Sequence, residues 1–134
     1  MSNRDAFRRK FYQAGAVIFR YGDRGGNAFF VESGRIDICR HDRNGMRLLG
    51  VVEKGGVFGE MALIDGQPRM ADAICREDAS LIVIGEAEFQ KKLSASDPFI
   101  VGLLRVFVRD IRRLNDQIGE PFAPRSQPSD QRRS

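Results

Sequence analysis

The stretch Val57-Phe-Gly-Glu-Met-Ala-Leu-Ile-Asp-Gly-Gln-Pro-Arg-Met-Ala71 concentrates the residue types that could do chemistry. Gly59 permits close approach of the backbone to another group. Glu60-Met-Ala-Leu63 is a good helix former, but too short to be stable alone. A single helical turn leaves N–H groups unpaired at its start, and such groups attract an anion. Arg69 follows nine residues after Glu60, beyond the Asp65-Gly66-Gln67-Pro68 turn. It can fold back and offer a planar fork of donors to the same anion. Glu60 would be repelled by a phosphate. It belongs there if it pairs with Arg69 or accepts hydrogen bonds from hydroxyls on the same ligand. A sugar phosphate satisfies both conditions.

These residues need a frame. From residue 11 to 84 the pattern has period two with frequent punctuation. Val17 and Phe19 alternate with Ile18 and Arg20. Residues 21–27 read as a loop rich in glycine. Ala28-Phe-Phe-Val31 is a strand, and Ser33-Gly34 is expected to turn the chain. Ile36 and Ile38 alternate with Asp37 and Arg40, and Asn44-Gly45 is a strong hairpin signal. Leu48 to Val52 returns, and residues 70–75 and 81–84 supply two more strands. About eight short strands with tight turns predict a mainly β fold, a jelly-roll sandwich or barrel.

After Gly85 the period changes. Residues 86–94 predict a short amphipathic helix. Asp97 and Pro98 read as N-cap and first position of a longer helix over 98–118. Ile100, Leu104, Phe107, Ile111, Leu114 and Ile118 form one apolar stripe on it, which suits either core against the barrel or a dimer seam. Phe99, Leu103 and Val106 add a second row, so the first half is expected to be buried on two sides. Residues 1–10 read as a lead-in, 11–118 as one domain, and 119–134 as a disordered polar tail.

Composition closes off other chemistries. The 134 residues suit one domain, and 22 Lys+Arg against 18 Asp+Glu leave only +4, too little to argue for a nucleic-acid or membrane partner. No apolar run is long enough to span a bilayer, and the first ten residues have no signal-peptide core. Cys39 and Cys75 sit in strand-like stretches and read as reduced thiols of a cytoplasmic protein. With His41 the sole histidine, a cupin-type metal centre is excluded, no nucleophile–base pair is evident, and an enzyme is not expected. Arg105, Arg109, Arg112 and Arg113 are interrupted by Asp110 and Asp116, and so read as a solvated helix face.

Residues 58–71, Phe-Gly-Glu-Met-Ala-Leu-Ile-Asp-Gly-Gln-Pro-Arg-Met-Ala, resemble the phosphate-binding cassette of the cyclic nucleotide-binding domain family. That family includes catabolite activator proteins, regulatory subunits of cAMP-dependent protein kinase, and cyclic nucleotide-gated channels. The similarity extends over about residues 10–118. The resemblance implies that Glu60 accepts from the ribose 2′-hydroxyl and that Arg69 pairs with the cyclic phosphate. The N–H groups of Ala62 and Ala71 add phosphate contacts, and Gly59 lets the backbone approach the ribose. Leu49 and Gly50 are expected under the base, with the helix from Pro98 closing over it. Met61 and Met70 complete the implied site. The implied function is a sensor module for cAMP, with cGMP possible, whose last helix transmits occupancy to an effector protein or to a second copy.

The sequence departs from the family pattern in places. Met70 stands where cGMP-preferring relatives often carry Thr, which favours cAMP. Asp72 would weaken phosphate binding if its carboxylate lay close, and would be harmless pointing outward. No DNA-binding domain is expected, and the chain reads as a complete small protein, with a piece cut from a channel or kinase as the alternative. Two other readings remain open. Glu60 and Arg69 could form a surface ion pair. The fold could also serve as a protein–protein interaction module with a non-binding pocket, marked by a self-satisfied Glu60–Arg69 pair and a helix already docked.

Overall fold

The computed structural model describes residues 7–119. The chain runs β1 (Phe7–Tyr12), β2 (Val17–Phe19), β3 (Asn27–Asp42), β4 (Gly45–Val52), β5 (Val57–Phe58), α1 (Glu60–Asp65), β6 (Asp72–Gly85), α2 (Glu86–Ser94) and α3 (Pro98–Gly119). All strand pairings are antiparallel, in the order β1-β6-β3-β4, with β2 on β6 and β5 on β3. The mainly β jelly-roll expectation holds. The expected tail lies outside the described residues except for Gly119.

Six strands stand among the described residues where about eight were expected. Ser33-Gly34 does not reverse the chain. The β3–β6 register shifts there, and Gly34 takes φ 96° inside a continuous strand. A Cβ at Gly34 would sit 2.5 Å from the Asp78 carbonyl oxygen, so the close strand approach itself requires glycine. The same bend keeps 72–85 as one strand instead of two. At the other end, the expected lead-in is already sheet from Phe7, in register with β6. Arg9 anchors it through a two-pronged contact with Glu32 at 2.6 and 2.7 Å.

Phe29, Val31, Ile36, Phe58, Cys75, Leu81 and Val83 fill the space between the bent strands. Phe29 and Phe58 stack with ring centroids 5.0 Å apart, and Phe19 packs beside both. Cys39 and Cys75 are buried and free.

The helices start as their sequences dictate. Acidic Glu86 and Glu88 open α2 and Lys91 and Lys92 close it, as the helix dipole favours. The Asp97 carboxylate accepts the Phe99 N–H at 2.8 Å, capping α3. The facing of α3 is the main departure. Its inward line is Val101, Arg105, Val108, Arg112 and Asn115, with Val108 only 4% exposed. The stripe, which suited either core or a dimer seam, points away from the domain from Ile100 to Leu114, leaving Phe107 and Leu114 each 53% exposed. The second row is also exposed, Phe99 at 72%. Polar anchors decide the rotation: Arg112 and Asp116 reach partners on the domain only when the apolar stripe faces out.

Candidate functional site

The segment 59–71 is built around glycine and proline. Gly59 takes φ 83° and releases the chain from β5 into α1. Gly66, at φ 71°, ends α1 and donates its N–H to the Ala62 carbonyl at 2.9 Å. Asp65 accepts the Gln67 N–H at 3.0 Å, which shapes the turn into Pro68. Arg69 is then clamped through its backbone. Its carbonyl accepts the Gly22 N–H and its N–H donates to the Asp23 carbonyl, both at 2.8 Å.

The Arg69 side chain is 6% exposed. Nη1 donates to the Gly59 carbonyl and Nη2 to the Asn27 carbonyl, each at 2.7 Å. The guanidinium lies over the Phe19 ring, 4.0 Å from its centroid. Nε is buried without a partner. Burial pulls the Arg69 pKa down, while Asp23 and Glu60 act to raise it. Among the described residues Arg69 forms no ion pair. The alternative of a surface Glu60–Arg69 pair is therefore set aside: the arginine is interior, and the two residues form no ion pair. Burial likewise pushes the Glu60 carboxyl upward, against the smaller effects of its own N–H and of Arg69.

Arg69 opens onto a cavity of about 180 Å³. Gly59, Glu60, Met61, Ala62, Met70 and Ala71 line it with Arg69, so seven of the nine predicted positions converge. Leu49 and Gly50 do not line it; Ile38 and Val52 do. The reason is a bulge in the β3–β4 register. Cys39 pairs with Leu48 and Ile38 with Gly50, which leaves Leu49 as the extra residue. Gly50 lies on the strand face of Val52 by alternation, with nothing within 4 Å of where its Cβ would stand.

Asp72 is buried and is not among the residues that line the cavity. One oxygen accepts the Tyr21 N–H at 2.6 Å and the other meets His41 Nδ1 at 2.7 Å. Of the two positions left open for it, outward along the strand or close to the ligand, it takes neither: it is buried and outside the cavity lining. His41 thus acts as a partner of Asp72.

Several participants escaped sequence reasoning. Phe19 and Arg112 line the cavity. Asn27 contributes only a backbone oxygen, which no side-chain pattern reports. Gly25 is packed so closely that a Cβ there would stand 2.8 Å from Ala62 Cβ and 3.1 Å from Arg69 Cζ. Its signal was visible as a glycine-rich loop, but its contact was not. No described helix is long and apolar enough to cross a membrane.

Chemically, the site offers a desolvated, oriented cation with a donor to spare, a half-buried carboxylate, and apolar walls. Comparison with known proteins places it. The chain matches the family described as Cyclic nucleotide-binding domain over residues 9–96. It is 39% identical over 100 residues to a cyclic nucleotide-gated potassium channel of Rhizobium etli, covering 75% of this chain and 26% of the channel. It is 38% identical over 84 residues to a cAMP-dependent protein kinase regulatory subunit of Dictyostelium discoideum, covering 61% of this chain and 25% of that protein. The chain thus spans about a quarter of the length of these relatives. Among solved structures, the cAMP-bound form of the EAL enzyme Bd1971 superposes with a TM-score of 0.79 at 30% identity, covering 84% of this chain and 30% of that one. Its cGMP-bound form gives 0.76 at 30% identity, covering 82% and 30%. With the cassette in place on the matching fold, the chain belongs to the cyclic nucleotide-binding domain family.

Proposed function

We propose that this chain is a sensor module that binds cAMP in preference to cGMP and passes occupancy on through α3. One observation carries the reading: Arg69 is buried, oriented by two carbonyl oxygens, and has a free Nε, with no acid in ion-pair contact among the described residues. A desolvated cation without a counter-ion is costly, and a bound anion offsets that cost. The cyclic phosphate meets the guanidinium and the N–H groups of Ala62 and Ala71. Glu60 accepts from the ribose 2′-hydroxyl beside Gly59 and Met61. Ile38 and Val52 support the base, with room left at Gly50. Met70 offers the base a thioether, whose weak acceptor cannot satisfy the guanine amino group. Nothing in this scheme is catalytic; binding shifts a population of conformations.

The outward stripe of α3 supports a partner surface. Its 4-3-4-3 spacing suits the same helix of a second copy, with an effector protein as the other occupant. Replacing Phe107 and Leu114 by Glu is expected to lower the mass seen in ultracentrifugation without unfolding the domain; an unchanged mass would contradict the second copy. The buried free thiols Cys39 and Cys75 support a reducing, cytoplasmic setting.

Calorimetric titration of the nucleotide-stripped chain tests the ligand. Saturable heat with cAMP and weaker binding of cGMP are expected. If neither nucleotide binds, the reading fails, and the apolar face of α3 makes the chain an interaction module.

A further inference from the structure

A second cavity, of about 290 Å³, is walled by β1, by the loop before β3 and by Arg69. It shares Phe19 and Arg69 with the cavity already described, but none of Glu60, Met61, Ala62 or Met70. Arg8 and Lys10 alternate with Arg9 along β1, so they share one face of the strand. Arg8 stands opposite Val83 and Lys10 opposite Leu81, both buried core residues. Cross-strand partners lie on the same face of a sheet. Two cations therefore occupy the face that the core uses. Arg9, on the other face, is matched by Glu32. The inward pair has no such acid.

Arg24 reaches the same cavity from the loop. Among the described residues, none of Arg8, Lys10, Arg24 and Arg69 forms an ion pair. Lys10 Nζ rests over the Tyr12 ring, 5.5 Å from its centroid. Asp23 is the one acid in the lining, and its carboxylate already accepts the Arg20 N–H at 3.0 Å. Arg69 supplies a further sign of a missing partner. Its side chain is buried and its Nε is unsatisfied. A Cβ at Gly25 would stand 3.2 Å from that Nε, so the orphan donor borders the same loop.

β1 ends the strand order, and inward charges on an edge strand also discourage pairing between molecules. That role accounts for Arg8 and Lys10. It accounts neither for Arg24, which comes from another element, nor for an unsatisfied donor on a buried arginine. Like charges gathered around one cavity repel, and a bound anion removes the repulsion. A carboxylate brings a single charge and two oxygens in one plane. A phosphomonoester brings about −1.5 to −2 at neutral pH and three terminal oxygens, which can meet donors from several sides.

We propose that this cavity is a second anion site, which binds a small phosphomonoester between Arg8 and Lys10 of β1, Arg24 of the loop and the Arg69 guanidinium. The site stands apart from the nucleotide reading, because Glu60 and the N–H groups of Ala62 and Ala71 have no part in it.

The test is an NMR titration of the ¹⁵N-labelled full chain with methyl phosphate, with acetate as the comparison anion at matched ionic strength. Saturable shifts are expected at the amides of Lys10, Arg24 and Gly26, with acetate binding there more weakly. Arg8→Gln with Lys10→Gln is expected to weaken methyl phosphate by at least about tenfold, as for loss of charge-assisted hydrogen bonds. The rest of the spectrum reports that the variant is folded. Arg24→Gln, in an exposed loop, gives the same readout without touching the sheet. Shifts confined to the Ala62 and Ala71 amides would place the anion in the first cavity and overturn the proposal. So would acetate binding as tightly as methyl phosphate, or unchanged affinity in the folded variants.

Discussion

The Arg69 guanidinium lies over the face of Phe19, 4.0 Å from the ring centroid, so the buried cation rests on an aromatic ring and not on an acid. The ring fixes the plane of the guanidinium while two backbone oxygens fix its direction. The charge is held without being neutralised, which leaves it available to an anionic ligand. Phe19→Leu keeps the apolar volume and removes the ring. It is expected to weaken cAMP binding by about 0.5–2 kcal/mol, and to lower the melting temperature as well, since the ring also packs against Phe29 and Phe58. Calorimetry on the variant checks this.

Gly25 packs closely against the guanidinium as well. A Cβ at that position would collide with Ala62 Cβ at 2.8 Å and crowd Arg69 Cζ at 3.1 Å. Gly25→Ala is expected to cost about 1–3 kcal/mol of stability, the usual penalty for overpacking. It should also weaken cAMP binding, because the least rigid neighbour is the arginine itself. Paired thermal melts and titrations separate the two effects.

Burial works against the ionised form of Glu60. Burial raises its pKa, so near neutral pH its ionised form disfavours the folded state relative to the unfolded chain. That penalty disappears as pH falls through the raised pKa. Glu60→Gln is therefore expected to raise the melting temperature of the empty domain at neutral pH. The same change should weaken cAMP binding by about 1.5–3 kcal/mol, through loss of a charged acceptor for the ribose hydroxyl. A parallel rise in stability and affinity would contradict the role given to this carboxylate.

Glu32 behaves in the opposite way. Hydrogen bonds from Arg9, and then from Ser80, lower its pKa from the ordinary 4.5 to about 2. A carboxylate depressed in the fold contributes stability above about pH 4.5, and that contribution fades as the pH falls towards 2. Acid denaturation followed by circular dichroism should show this slope in the wild type. In Glu32→Gln the slope over that window should flatten, and β1 should loosen first, since Arg9 is its anchor.

The cassette was legible because its residue types leave little choice. Gly59, Gly66 and Pro68 dictate the path, and Arg69 and Glu60 are the charged groups it brings to the cavity. Where the structure departs from expectation, the local signal was ambiguous. Ser33-Gly34 has the composition of a turn, but the same glycine serves a bulge where strands approach closely. The run Leu48 to Val52 carries no mark of the bulge that shifts the register beside Ile38, so its sequence does not tell which residues face the cavity. The α3 stripe has the spacing of a core face, and periodicity records which residues share a face without saying what that face meets. Only the polar partners of Arg112 and Asp116, far away in sequence, decide it. Asn27 was invisible because a carbonyl oxygen is common to every residue.

The central claim is that Arg69 receives the phosphate of a cyclic nucleotide. The most direct test is calorimetric titration of cAMP into nucleotide-stripped wild type and Arg69→Ala, with circular dichroism and melting to verify the fold of both. The account predicts saturable binding by the wild type and a loss of about 2–5 kcal/mol of binding free energy in a variant that remains folded. Equal affinity in the two proteins would contradict it.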